Sequence, residues 1–98
     1  MTLSELTAAM LAFVESKGWL KPDSNHPQTP KNLAVSLVLE ASEVLEHFQW
    51  TDESPDRGEL ASELADVLLY LMQMAHVHDI DLAAAVMSKL DINHGREW

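Results

Sequence analysis

The chain has 98 residues and a mass of 11.0 kDa, which is enough for one small domain and too little for two. Its 16 acidic residues against 6 Lys and Arg give a net charge of −10, which argues against binding to nucleic acids or anionic membranes. The absence of cysteine excludes disulfides, thiolate metal sites and cysteine nucleophiles.

The composition is that of a folded protein with a hydrophobic core. Hydrophobic residues make up 47% of the chain, too many for a disordered acidic sequence. We see neither a secretory signal nor an apolar run near the roughly 18 residues of a membrane span, so we expect a cytoplasmic protein. A small phosphorylated ligand remains compatible with the negative charge, because a bound cation reverses the local sign.

A first helix is predicted over residues 3–17. Thr2 and Glu5 have the spacing of a capping box, and the apolar residues that follow recur at helical intervals. Gly18 lies where a helix C-terminus favours the left-handed conformation. Residues 19–28 contain two prolines and several polar residues, so we expect a loop, which also holds Trp19.

Three further helices are predicted. Thr29 and Pro30 suit the N-cap and first position of a second helix, which should end at about residue 49 or 50. After a polar turn over residues 51–55, Asp56 caps a third helix that should reach about residue 78. Asp81 caps a fourth, which should end at about residue 92. We therefore expect an all-α, four-helix bundle-like protomer with a single domain over residues 1–98.

Helices 2 and 3 are apolar on nearly all sides. A helix that is apolar all round must be buried all round, and the short first and fourth helices are too small to cover both. The surplus apolar surface predicts a homo-oligomer, either a dimer or a tetramer, in which these helices pack against those of a second copy. A compact monomeric bundle is the alternative.

Each of these two apolar helices also carries one polar stripe. Each stripe has two carboxylates three residues apart, followed by an aromatic residue: Glu40, Glu43 and Trp50 on helix 2, and Glu63, Asp66 and Tyr70 on helix 3. The stripes either face solvent as ordinary acidic surfaces or face each other as two halves of one site. The second interpretation is favoured because no Lys or Arg lies between Lys31 and Arg57 to pair with the acids.

Facing stripes would bring four carboxylates together. Like charges at close range raise one another's pKa values, and burying them unpaired costs several kcal/mol. A multivalent cation removes this conflict, and an all-oxygen donor set favours Mg²⁺, with Mn²⁺ as the second candidate. A di-iron bundle is disfavoured because Glu-x-x-His does not occur at these positions. Carboxylate-held Mg²⁺ leaves coordination positions for phosphates, so the pattern indicates a nucleotide ligand.

The segments 39–50 (LEASEVLEHFQW) and 63–70 (ELADVLLY) resemble the MazG-like all-α nucleoside triphosphate pyrophosphohydrolases, in particular their dCTP pyrophosphatase-like branch. The family pattern of Glu-x-x-Glu, a spacer and Glu-x-x-Asp is present here as the four acids of the two stripes. Lys89 and Asn93 match the Lys-x-x-x-Asn of the family's last helix. The resemblance extends from about residue 13 to residue 96.

This resemblance implies a Mg²⁺-dependent hydrolase that splits a nucleoside triphosphate into the monophosphate and pyrophosphate, with a house-cleaning role in the nucleotide pool. It assigns metal-binding and catalytic roles to Glu40, Glu43, Glu63 and Asp66. It assigns phosphate contacts to Lys89 and Asn93, and the base pocket to Trp19, Trp50 and Tyr70. Lys31 is a further phosphate candidate, because a cation in the first turn of a helix is unfavourable for the helix dipole.

Two other functions remain open at this point. A non-catalytic helical oligomerisation module with an acidic groove would explain the apolar helices, although not the paired acidic motifs. A related hydrolase on the same scaffold would act on phosphoribosyl-ATP or on a dinucleoside diphosphate. Release of pyrophosphate separates the first alternative from a hydrolase, and a substrate panel separates the second.

Overall fold

The computed structural model of the chain, which describes residues 1–53 and 55–97, contains four helices and no strand within those ranges. The helices are α1 (Leu3–Ser16), α2 (Pro30–Glu46), α3 (Arg57–Val77) and α4 (Leu82–His94). The all-α prediction is confirmed. Ser54, which belongs to the predicted polar turn, lies outside the described residues.

All four helices begin at the predicted N-caps. The Thr2 hydroxyl accepts from the backbone N–H of Glu5, whose carboxylate in turn accepts from the Thr2 backbone, so the capping box is present. The side chains of Thr29, Asp56 and Asp81 each accept from the N–H three residues later, at 3.2, 3.0 and 3.0 Å. Local side-chain chemistry therefore fixes where each helix starts.

The helix ends follow the sequence less closely. The predicted end of α2 at residue 49 or 50 is wrong: the helix stops at Glu46, because a tight turn follows in which the Phe48 N–H donates to Leu45 O at 2.9 Å. The fourth helix continues past the predicted end at residue 92 to His94, with Gly95 as its cap. Gly18 adopts the expected left-handed conformation, with φ of 72°.

Helices α1 and α2 both pack against α3, and the contact of α2 with α3 is the more extensive. Met10 and Val14 of α1 and Met72 of α3 form the buried cluster, against which Trp19 packs. Leu33 of α2 is buried separately, whereas no residue of α4 is fully buried. In the described part of the chain, no helix combines the length and apolar character needed to cross a bilayer.

Much apolar surface stays uncovered in the single chain. The accessible surface is 7602 Å², against about 5,600 Å² expected for a compact monomer of this mass. The radius of gyration is 15.8 Å, against about 13 Å for a compact domain of this length. One chain leaves apolar residues of α2 and α3 uncovered, as expected from the short first and fourth helices: Val38 is 66% and Leu64 52% exposed. Two helices flanking α3 cannot enclose it.

The packing of Leu33 generates a stability prediction. This side chain is 2% exposed, so Leu33→Ala should lower the free energy of unfolding by about 2–5 kcal/mol through lost contacts and the cavity it leaves. Urea titration followed by circular dichroism measures this change. Leu20→Ala, at an exposed loop position, is the matched control and should change stability by less than about 0.5 kcal/mol. Equal effects of the two variants would contradict the described packing.

Candidate active site

The polar stripes of α2 and α3 meet where the two helices pack. The Glu40 carboxyl lies near the other three acids, and its pKa is raised above the ordinary value of 4.5. Burial is the largest cause of the raised pKa, followed by a hydrogen bond that it shares with Glu43 and by the negative charges of Glu43, Asp66 and Glu63. The stripes therefore do not both face solvent; their acids form one cluster.

Two carboxylate oxygens in this cluster are buried without a hydrogen-bond partner, Oε2 of Glu40 and Oε2 of Glu63. The imidazole Nε2 of His47 lies 3.0 Å from the second of these, without the geometry of a hydrogen bond. His47, the C-cap of α2, follows Glu43 by one turn in the same polar stripe, but its position did not predict a site role. The structure adds it to the cluster.

The cluster suits a cation by its chemistry. Buried, unpartnered carboxylate oxygens are costly on their own and are the donors that Mg²⁺ and Mn²⁺ prefer. Among residues 1–53 and 55–97, however, no three His, Asp or Glu side chains are already arranged to hold one metal ion. The four acids are neighbours, but they do not surround a common point. Their like charges repel at short range, and Glu63 contacts His47.

A cavity of about 420 Å³ opens beside the carboxylates. Glu40 and Asp66 form its acidic edge, and Tyr70 lies on its wall one helical turn after Asp66. Its remaining walls are largely apolar and come from α1, α3 and the loop after α1. An apolar cleft of this size with a few polar groups at one edge is typical of a small-molecule site.

The loop between α1 and α2 supplies the aromatic wall of this cavity. The Trp19 ring meets the Phe13 ring edge-to-face, with centroids 5.7 Å apart, and lies 5.4 Å from the His26 ring. Trp19 also lines a second cavity of about 230 Å³, which it shares with Tyr70. Trp19 and Tyr70, both expected in a base pocket, therefore lie on the same two cavities.

A pair of glutamines lines the same cavity and was not singled out from the sequence. The Gln73 side chain is buried and donates from Nε2 to Oε1 of Gln28 at 2.7 Å. Residue 73 continues the stripe of α3 three residues after Tyr70, and that spacing was a signal that could have identified it. Residue 28 lies in the loop, where no helical spacing applies.

The other predicted site residues lie outside this cavity. Trp50 is 88% exposed beyond the end of α2, so within one chain it does not share a groove with Tyr70. Lys31 and Lys89 are exposed and line none of the described cavities. Asn93 is half-buried, and its Oδ1 has no hydrogen-bond partner. The described chain thus brings Glu40 and Asp66 to the same cavity as Trp19 and Tyr70, and leaves the predicted phosphate contacts apart.

Comparison with known proteins points to one family. Residues 28–96 match the model of the MazG nucleotide pyrophosphohydrolase domain. The chain is 38% identical to human dCTP pyrophosphatase 1 over 97% of its own length and 58% of that protein, so it spans little more than half of this relative. It is 29% identical to the dATP/dGTP diphosphohydrolase of Cyanophage S-2L, covering 99% of this chain and 78% of that enzyme.

A solved structure shows the same fold. The crystal structure of a pyrophosphatase from Archaeoglobus fulgidus superposes with a TM-score of 0.80 at 40% sequence identity. The match covers 93% of this chain and 87% of that one. The arrangement of the four helices is therefore shared with a protein described as a pyrophosphatase.

The raised pKa of Glu40 predicts a pH dependence of stability. A carboxyl whose pKa is higher in the folded than in the unfolded protein favours folding when protonated. Its ionisation therefore lowers the free energy of unfolding as the pH rises from about 4.5 through the raised pKa. We expect Glu40→Gln to melt above the wild type near neutral pH in EDTA, and the difference to shrink on acidification.

Melting temperatures measured from about pH 4 to about pH 8 test this expectation. Glu46→Gln, which changes an exposed carboxylate of the same helix, is the matched control and should follow the wild type. A Glu40→Gln variant that melts below the wild type near pH 7 would show that the charge of Glu40 is favourable, against the described cluster.

Proposed function

Because the chain belongs to the MazG nucleotide pyrophosphohydrolase family, we propose that it hydrolyses a nucleoside triphosphate between the α- and β-phosphates. Water is consumed, and the nucleoside monophosphate and pyrophosphate are the products. The observation that carries this proposal is the acidic cluster of α2 and α3 at the edge of an aromatic-lined cavity. Such a site accommodates a base in the cavity and its phosphates towards the acids.

The four acids would hold the metal. We propose Mg²⁺, with Mn²⁺ as the alternative, bound by Glu40, Glu43, Glu63 and Asp66, because the donors are oxygens and two of the oxygens are buried without partners. When bound, such an ion neutralises phosphate charge and lowers the pKa of water. The same carboxylates would then accept the proton of the attacking water, as general bases do.

The remaining predicted residues would position the substrate. Trp19 and Tyr70 would stack on the base, since aromatic rings bind any base through its face. Lys89, Asn93 and Lys31 would bind the phosphates, because a lysine ammonium and a side-chain amide both donate hydrogen bonds to phosphate oxygens. Trp50 would complete the pocket from another subunit, because it is exposed within its own chain.

The substrate we propose is a deoxynucleoside triphosphate, with dCTP as the first candidate. The human relative is named for dCTP and the phage relative for dATP and dGTP, so relatives act on different bases. We further propose a role in cleansing the nucleotide pool of the cytoplasm. Phosphoribosyl-ATP is the competing substrate on this scaffold, and a non-catalytic adaptor is the competing function.

We also propose that the chain works as a homo-oligomer, a dimer or a tetramer. Its accessible surface exceeds that of a compact monomer by about 2,000 Å², whereas a stable interface of standard size buries about 800 Å² on each partner. Several large apolar residues of α2 and α3 are exposed, as expected for residues of an obligate interface. A second copy of the same chain would cover them.

The proposed activity predicts the effect of Glu63→Gln. The amide keeps the shape of the side chain but removes one charge from the proposed metal site, so kcat/KM for dCTP should fall by about 100-fold or more. Ion chromatography of the products in a panel with dCTP, other deoxynucleoside triphosphates and phosphoribosyl-ATP tests both activity and cleavage position. Glu46→Gln is the exposed control on α2.

A second readout of the same variant is independent of turnover. Saturating Mg²⁺, at about 100 times its Kd, should stabilise the wild type by about 2.7 kcal/mol and Glu63→Gln by much less. Turnover within about threefold of the wild type in Glu63→Gln would remove Glu63 from the site. Diphosphate instead of monophosphate as the product would contradict cleavage between the α- and β-phosphates.

The oligomer proposal predicts that one substitution disperses the assembly. Val38→Asp places a charge on the exposed apolar face of α2, and burying it in an interface would cost several kcal/mol. Light scattering coupled to size-exclusion chromatography should show an oligomer for the wild type and a smaller species for Val38→Asp. Ala12→Asp, on the exposed face of α1, should leave the mass unchanged. A monomeric wild type at micromolar concentration would disprove the proposal.

A further inference from the structure

Gln73 is unusual among the residues that the structure describes. It is the one polar residue among them that is fully buried, 4% exposed, and it lies in α3, three residues after Tyr70. A buried carboxamide without hydrogen bonds would be costly, so its partners matter. Gln73 also lines the 420 Å³ cavity, so whatever occupies that cavity lies beside this side chain.

The orientation of this carboxamide is fixed through two hydrogen bonds. Gln73 donates from Nε2 to Oε1 of Gln28 at 2.7 Å, and Gln28 donates from its own Nε2 to the backbone oxygen of His26 at 2.6 Å. A backbone carbonyl only accepts hydrogen bonds. Gln28 must therefore point its NH₂ group at His26 and its oxygen at Gln73, and this in turn fixes which atom of Gln73 faces Gln28.

The fixed orientation of the Gln73 amide leaves a defined hydrogen-bond acceptor and donor for a ligand. The bond to Gln28 uses one N–H of Gln73 and leaves its Oε1 and its second N–H, which is one acceptor beside one donor. A free glutamine matches either of two complementary patterns by rotating its amide through half a turn. The Gln28–His26 bond opposes that rotation, because it keeps Oε1 of Gln28 directed at Gln73. A rotated Gln73 amide would then place its own oxygen against this acceptor.

Resting on the proposed function, we propose that Gln73, held by Gln28, selects nucleobases with an amino group at C4 of a pyrimidine or C6 of a purine, next to an unprotonated ring nitrogen. Cytosine and adenine have this edge, whose amino group would donate to Oε1 while the ring nitrogen accepts from the N–H. A glutamine amide pairs with adenine through the same donor–acceptor logic in DNA recognition. In the same position, uracil, thymine and guanine present a carbonyl in place of the amino group and a ring N–H in place of the unprotonated nitrogen, so that acceptor opposes acceptor and donor opposes donor.

The geometry of the cavity supports this assignment. Gln73 and Tyr70 lie on one helix at adjacent turns, so a base stacked on the Tyr70 ring would direct an edge towards the carboxamide. The acidic edge formed by Glu40 and Asp66 belongs to the same cavity, where the phosphates would lie. Sites that hydrogen-bond a polar edge discriminate strongly, because the mismatched ligand leaves buried groups unpaired.

The experiment compares kcat/KM for dCTP, dATP, dUTP and dTTP with Mg²⁺ in the wild type and three variants. We expect the wild type to prefer the two amino bases by about tenfold or more, and Gln73→Met to reduce this ratio to within about threefold of unity. The loss should lie mainly in KM, because Gln73 would contact the base and not the reacting phosphorus. Gln28→Met should reduce the ratio too, by freeing the Gln73 amide to rotate.

Gln49→Met is the matched control, because this glutamine is exposed and lies outside the cavity; it should keep the wild-type ratio. If Gln73→Met fails to fold, Gln28→Met carries the test, because residue 28 is only half-buried. An equal rate on all four nucleotides in the wild type, or an unchanged preference in Gln28→Met and folded Gln73→Met, would overturn the inference while leaving the proposed hydrolysis intact.

Failure of the proposed function has a different signature. No turnover of any nucleotide would contradict the proposed hydrolase activity. Base selection by Gln73 would then be tested by the binding of nucleosides, which needs no turnover. Deoxycytidine should shift the side-chain NMR signals of Gln73 and Gln28 at concentrations where deoxyuridine does not. Equal responses to the two nucleosides would overturn the selection by Gln73.

Discussion

The packing of α2 on α3 brings the carboxyl groups of Glu40, Glu63 and Asp66 close to one another and to the more exposed Glu43, on two helices rich in apolar residues. The burial of Glu40 and the neighbouring acids raise the pKa of this carboxyl, and two carboxylate oxygens have no partner. Such a cluster is stable only if protons or cations neutralise part of its charge. The rest of the site depends on this constraint, because a phosphate can approach the acids only together with a cation.

The cavity beside the cluster depends on α1 and the loop that follows it. Gly18 adopts the left-handed conformation that ends α1 and turns the chain, and Trp19 follows directly in the cavity wall. The loop then returns towards α3, where Gln28 meets Gln73. The loop therefore contributes both an aromatic face and a fixed hydrogen-bonding edge, while α2 and α3 contribute the acids. This division between an acidic scaffold and a loop that is proposed to contact the base fits relatives named for different bases.

The exposed apolar surface and the dispersed phosphate candidates have a common explanation in the proposed oligomer. Helix α4 has no fully buried residue, and Trp50 projects beyond α2. A protomer of this kind buries too little apolar surface to be compact by itself, as its radius of gyration shows. A second copy that covered α2 and α3 would supply both the missing core and the neighbours for Trp50 and Lys89.

The sequence by itself determined the elements and the chemistry of the acidic stripes. Side chains such as Thr29 and Asp81 fix the helix starts through contacts within four residues, and the 3–4 spacing places Glu63 and Asp66 on one face. The tertiary structure decided what depends on contacts between distant residues. It brought His47 to Glu63, paired Gln28 with Gln73 across 45 positions, and left Trp50 outside the cavity. Periodicity shows which residues share a helix face, but only packing shows what that face meets.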